Sequence, residues 1–462
     1  MRGLAVVACL ALAAAGCGRS GHGSTGGRTS NPTAPQRLTG QHGCPRLPDF
    51  DCATLTVPLD HAGQAGGTLR LAVAAQRTAS APRGVLLFLT GGPGQPGVAL
   101  IRKVHARLAA ALAGYRLVMF DQRGTGADAL DCPALQRAAG SSDLVVVPRG
   151  VVAACGRSVG ARRRYFTTPE TVADIDALRV ALGAKRLTLD GVSYGTFVAE
   201  RYALAYPQRV ARLVLDSVVP QTGVDPLYLA SIQATAGVLR GACAAQRCRT
   251  DPASDLAAVI HAGENGPRLQ NAIVADSIAD PSFPHLADAL SAARRGDPVK
   301  LNVLLTAAER AEAAPAPELS QALHESTLCP DLAPPWNPAS PAAARAAALT
   351  TAAARLPASA FFPFDRATAI GNGIAAGCLE WPPTTPPDTA MGDPRGMLPA
   401  VPILLFAGGR DLSTPLAWAR AEAAYARGAR LVVVPSAGHS VQLRPANVAA
   451  RAQLARFLSG SA

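Results

Sequence analysis

From Leu69 to Val434 the chain repeats one alternation: a short apolar run of β-type residues, then a longer stretch with helical spacing. That rhythm predicts an α/β chain with a mostly parallel central sheet and helices on both faces. The runs are Leu69 to Ala75, Gly84 to Leu89, Arg116 to Phe120, Leu187 to Leu189, Leu213 to Leu215, Ile403 to Phe406 and Leu431 to Val434. Between Pro220 and Pro399 the rhythm stops, and the sequence turns alanine-rich and helix-prone, broken by proline clusters such as Ala333 to Pro341. We therefore expect a core in two pieces, 44–219 and 400–462, with residues 220–399 as a helical cap inserted over the sheet.

The first 43 residues belong to neither piece. Arg2 precedes an apolar run from Leu4 to Ala15 that closes on small residues before Cys17, which is the pattern of a signal peptide over 1–16, too short to span a bilayer as a helix. Ala14-Ala15-Gly16-Cys17 also resembles a bacterial lipoprotein signal, whose cysteine is acylated. The expectation is an exported protein, lipid-anchored through Cys17 on the outer side of the cell membrane or secreted. Residues 17–43 are rich in Gly, Ser, Thr and Pro and read as a flexible tether. Eight cysteines remain beyond Cys17, an even number that suits disulfides in an exported protein. Proximity favours Cys44 with Cys52, Cys132 with Cys155, Cys243 with Cys248, and Cys329 with Cys378, although sequence alone leaves other pairings open. A metal centre is not expected, because no Cys-x-x-Cys occurs and no histidine stands at ligand spacing from these cysteines.

The net charge of +12 comes from arginines scattered along the chain; Lys103, Lys185 and Lys300 are its three lysines. The densest cluster, Arg162 to Arg164, has no nucleic-acid-binding signature around it and reads as a solvated face. No nucleic-acid partner is expected.

Leu187 to Asp190 runs into Gly191-Val192-Ser193-Tyr194-Gly195, and Thr196 to Tyr206 then reads as a helix stopped by Pro207. A G-x-S-x-G between strand and helix makes a strained turn that lifts the serine hydroxyl above the sheet edge, so Ser193 is the expected nucleophile. About a hundred residues earlier a strand ends in Thr90-Gly91-Gly92-Pro93-Gly94, where backbone N–H groups can approach a developing oxyanion. We assign Gly92 N–H and Tyr194 N–H to that hole. Serine also needs a base, and the base an orienting acid. The chain order of nucleophile, acid and histidine selects His439, in a loop after the last apolar run, and Asp411, which follows Ile403 to Phe406. Asp216, at the end of the run Leu213 to Leu215, is the second choice of acid.

Taken together, these residues resemble the proline iminopeptidase and tripeptidyl aminopeptidase branch of the α/β-hydrolases, an exopeptidase group common among exported actinobacterial proteins. The matching pieces are Cys52 to His61, Gly91 to Gly94, Asp121-Gln122-Arg123-Gly124-Thr125-Gly126, Gly191 to Thr196, Gly409-Arg410-Asp411 with Thr414-Pro415, and Gly438-His439. Cys329 with Asp331, and Cys378 to Pro382, look like that group's C-terminal segment. The resemblance implies an α/β-hydrolase fold and a cofactor-free serine aminopeptidase that releases single residues or short peptides from free N-termini. Such an enzyme needs fixed carboxylates for the substrate ammonium, and the cap offers Glu325, Asp331 and Glu380. A bond between Cys329 and Cys378 would bring the last two into one neighbourhood. Asp121 and Arg123 read as a structural turn bracing the oxyanion loop. The competing readings are a carboxylesterase or lipase with the same triad, and a non-catalytic surface-binding lipoprotein.

Overall fold

The computed structural model describes residues 37–385 and 391–460. The expected signal peptide, Cys17 and most of the expected tether lie outside the described residues. Nine strands form one sheet: β1 (Leu38–Gly43), β2 (Phe50–Pro58), β3 (Thr68–Gln76), β4 (Val85–Leu89), β5 (Arg116–Phe120), β6 (Leu187–Val192), β7 (Val210–Asp216), β8 (Ile403–Gly408) and β9 (Arg430–Val434). Their spatial order is β1-β2-β3-β5-β4-β6-β7-β8-β9. The pairs β1–β2, β2–β3 and β3–β5 are antiparallel and all others are parallel. Among the described residues no helix is long and apolar enough to cross a membrane.

The central strands are largely buried because both faces of the sheet are covered; β4 and β8 are apolar along their length, whereas β6 also buries Thr188 and Asp190. In β4, Leu87 and Leu89 enter one core while Leu86 and Phe88 enter the other. In β8, Ile403, Leu405 and Ala407 alternate with Leu404 and Phe406 in the same way. A one-residue slip would exchange the two sets, so the pattern fixes the register.

Two boundaries differ from the sequence reading. The tether was expected to reach Gly43, but Leu38–Gly43 is an edge strand held by main-chain pairing to β2. Its polar, glycine-containing sequence carries no alternation; the backbone ladder and the adjacent Cys44–Cys52 pair hold it instead. The cap is also larger than 220–399. Helices Pro133–Ala139 and Val151–Val159, expected in the core, share an apolar cluster with Ala322 and Trp381 of the insertion. Helical spacing tells which face is apolar but not which neighbour covers it.

The cysteines pair as Cys44–Cys52, Cys132–Cys155, Cys243–Cys248 and Cys329–Cys378, with α-carbons 4.9, 5.5, 5.2 and 5.2 Å apart. Cys329–Cys378 ties helix Gln321–Asp331 to helix Gly373–Glu380 inside the cap.

Arg123 anchors the sheet's antiparallel side from within. Its side chain is fully buried and grips Asp174 with two nitrogens at 2.7 Å, Glu170 at 3.2 Å, and the carbonyls of Leu59 and Tyr165. His61 Nε2 meets the same Asp174 at 2.7 Å. Burial alone would raise the pKa of Asp174, but Arg123 outweighs it and holds the carboxyl below its usual range. Removing the cation from such a site leaves buried negative charge, which costs about 3–5 kcal/mol. Arg123→Met is therefore expected to lower the urea midpoint markedly. A variant that unfolds at the wild-type midpoint would show that the network contributes nothing net.

Candidate active site

At the end of β6 the chain makes an abrupt turn. Ser193 has φ 58° and ψ −129°, a conformation that is costly for any residue with a side chain. Its neighbours explain why the motif contains glycine. A Cβ on Gly191 would lie 2.4 Å from the Gly195 carbonyl oxygen, and one on Gly195 would lie 2.3 Å from that of Leu89. The turn is held by Ser193 N–H donating to Asp216 O at 3.0 Å and Thr196 N–H donating to Ser193 O at 2.8 Å. Helix Tyr194–Ala205 begins directly afterwards, placing Tyr194 N–H at its first turn.

β4 delivers the glycine loop to the same spot. A Cβ on Gly91 would stand 3.0 Å from that of Ser193. Thr90 Oγ1 closes the loop by donating to Gln95 O at 2.8 Å. Asp121 braces its far end, accepting N–H bonds from Gly97 at 2.9 Å and Val98 at 2.8 Å. The cap presses from above, with Ser320 N–H donating to Gly94 O at 3.1 Å and His324 Nδ1 lying 3.2 Å from Pro93 O. Asp121 thus does what the sequence suggested, whereas Arg123 braces the β2 end and helix Thr168–Ala181 rather than the loop itself.

Asp411 follows β8 and is almost completely buried. Its Oδ1 accepts the N–H groups of Ser413 and Thr414, both at 2.9 Å, and its Oδ2 accepts the Thr414 hydroxyl at 2.7 Å. The same Oδ2 lies 2.9 Å from His439 Nδ1. Burial would raise the Asp411 pKa, yet His439 and Thr414 outweigh it and keep the group below the usual carboxylate range. For His439, burial pulls the pKa down, but Asp411 and then Asp216 more than offset it, so the ring's pKa is raised above its ordinary value. Its loop is gripped on two sides: Asp216 accepts the N–H groups of Val441 at 2.9 Å and Gln442 at 2.8 Å, and Arg444 Nε donates to His439 O at 2.9 Å. Asp216, the second-choice acid, therefore holds the histidine loop by its backbone and does not bond to the ring.

Ser193 and His439 open onto one cavity of about 540 Å³, which Gly91, Gly92 and Asp143 also line. None of the three anticipated ammonium anchors is in its wall. Asp331 is sealed against the Thr168 hydroxyl, which also bonds the Tyr194 phenol at 2.6 Å. Glu380 accepts Gly150 N–H at 2.8 Å. Glu325 is 9% exposed and lies 3.2 Å from Cys329 Sγ, its pKa pushed up to about 8 by burial and by Asp143 and Glu380. The carboxylate in the wall is Asp143, between helices Pro133–Ala139 and Val151–Val159, with Oδ1 3.7 Å from His324 Nδ1. Burial raises its pKa, against the pull of His324 and His439. Nothing in Gly140-Ser141-Ser142-Asp143 marked it; it reaches the cavity only because that loop folds under the cap.

A family model described as alpha/beta hydrolase fold matches residues 84–445, most of the chain. This chain belongs to the α/β-hydrolases. Over 190 residues the hydrolase is 34% identical to a tripeptidyl aminopeptidase of Streptomyces coelicolor, covering 37% of this chain and 35% of the relative. Over 200 residues it is 30% identical to serine protease Hip1 of Mycobacterium tuberculosis, covering 38% and 37%. A probable proline iminopeptidase of Streptomyces coelicolor matches at 32% over 143 residues, covering 31% and 35%. The matched stretch spans about a third of the length of each of these curated relatives. The hydrolase is thus similar to proteins of the aminopeptidase branch.

Proposed function

We propose that this hydrolase is a serine aminopeptidase that removes single residues or short peptides from free N-termini. The observation carrying this reading is Asp143, a carboxylate in the wall of the cavity onto which Ser193 and His439 open. A lining carboxylate suits a substrate ammonium and has no role toward a neutral acyl ester. In the reaction, His439 keeps its Nδ1 proton on Asp411 and takes the Ser193 hydroxyl proton at Nε2. Oγ attacks the scissile carbonyl, and Gly92 and Tyr194 N–H groups receive the oxyanion. Among the described residues no protein acceptor takes a hydrogen bond from either N–H. The imidazolium then protonates the departing amine, and a water deprotonated by His439 hydrolyses the acyl-enzyme.

Chromogenic mono-, di- and tripeptidyl amides, each with a free and a blocked N-terminus, test the reading. Blocking is expected to lower kcat/KM by about 10- to 100-fold, the worth of a hydrogen bond to a charged group at about 1.5–3 kcal/mol. Asp143→Asn should raise KM for the free substrates by a similar factor, while Asp331→Asn should not. Equal cleavage of free and blocked peptides sinks the aminopeptidase reading, and cleavage of short acyl esters without peptide amides marks a carboxylesterase.

A further inference from the structure

The cavity has a second charged pole. Helix Ile101–Leu108 runs along its wall, and Lys103, Val104 and Arg107, with Leu100 just before them, line it. Spacings of three and four place these residues on one helical face. Lys103 is exposed and Arg107 half-buried. Neither takes part in an ion pair or side-chain hydrogen bond among the described residues. The third cation in the wall, Arg444, is already engaged, its guanidinium donating to the carbonyls of His439, Ile278 and Ala279. Neither cation pairs with Asp143, whose carboxylate lies 3.7 Å from His324 Nδ1 instead.

Two like charges four residues apart on a helix repel and slightly destabilise it. Here they line the catalytic cavity with no counter-ion among the described residues, and one of them is among only three lysines in a chain that otherwise uses arginine. Arginine offers a planar fork to a carboxylate, and lysine a mobile point charge beside it. We propose that Lys103 and Arg107 form a subsite for a carboxylate on the leaving portion of the substrate. This rests on the aminopeptidase reading for its substrate class: a short peptide, its ammonium held at Asp143 and its far carboxylate at the helix. A cavity of about 540 Å³ is of the size that encloses a small molecule, which agrees with a short peptide.

The test compares tetrapeptides with a common N-terminal part: a free acid, its C-terminal carboxamide, and a carboxamide ending in glutamate. In the wild type at low salt the free acid is expected to exceed the neutral carboxamide in kcat/KM by about tenfold or more, with the ratio shrinking as salt is added. Lys103→Gln with Arg107→Gln should bring the ratio near one, and Lys103→Arg should keep it. A glutamate carboxamide cleaved as fast as the free acid identifies a side-chain carboxylate as the group received; slow cleavage identifies the C-terminal one. A wild-type ratio within about twofold, or a ratio that survives the double substitution, overturns the proposal. Because the ratio compares substrates with the same N-terminus, it stays readable if blocked and free peptides prove equivalent. If only esters are cleaved, the same ratio is read on esters whose alcohol portion carries a carboxylate or a carboxamide.

Discussion

Ser193→Ala is expected to lower kcat/KM by about 10⁵-fold or more while leaving the fold intact, since removing the nucleophile of such a triad costs nearly as much as removing all three members. Alanine keeps the Cβ and with it the cost of φ 58° and ψ −129°. Glycine does not. Ser193→Gly should therefore be as inactive as Ser193→Ala yet more stable than it, by about 1 kcal/mol or more, because glycine adopts positive φ freely and such conformations cost other residues about 1–3 kcal/mol. This pair of variants separates chemistry from folding. A serine retained where glycine is the easier residue marks strain kept for reactivity, and the two variants measure it. Turnover by Ser193→Ala above a trace, on a sample free of other hydrolases, removes Ser193 from the mechanism. Equal melting temperatures for the alanine and glycine variants would remove the strain argument alone.

What could be read in the sequence follows from how local the determinants are. Strands β4, β5 and β8 are readable because burial on both faces demands nearly unbroken apolar runs, and β3 and β9, with exposed residues along them, because their runs are still rich in β-type residues. β1 is not, since Leu38–Gly43 is held by backbone pairing that any sequence can make. β2 carries part of the family motif, and its Leu55-Thr56-Val57 alternation, buried at Leu55 and Val57, is the signal that it is also a strand. The candidate triad is readable in the sequence because each member follows a strand, and the loops after parallel strands converge on one edge of the sheet. The ammonium anchors are not, because they depend on the path of the cap. Cys329 and Cys378 do pair, but Asp331 and Glu380 each lie two residues further along a helix, where about 100° per residue turns a side chain to nearly the opposite face. Asp331 consequently meets Thr168 and Glu380 meets Gly150 N–H. Glu325, four residues before Cys329, shares its face and does lie beside the sulfur.

Asp411→Asn is expected to lower kcat by about 10⁴-fold, because an amide can donate to His439 Nδ1 and so favour the tautomer that cannot take the serine proton. It should also move the pH profile, in a direction the site fixes. The base works only as neutral imidazole, so wild-type kcat/KM falls as pH drops through the His439 pKa, which the site raises above its ordinary value. Burial lowers that pKa; the Asp411 charge is the largest influence raising it, with Asp216 a smaller one. Removing the Asp411 charge leaves burial less opposed, and the acid limb of the residual activity should shift to lower pH. Asp216→Asn should shift it the same way but by less, with a far smaller loss of kcat, since Asp216 bonds the loop backbone at Val441 and Gln442 and not the ring. Rate profiles from pH 5 to 9 for the three proteins decide it. A larger loss and a larger shift in Asp216→Asn would transfer the role of orienting acid from β8 to β7. An acid limb that stays in place in both variants would mean that the group titrating in the profile is not His439.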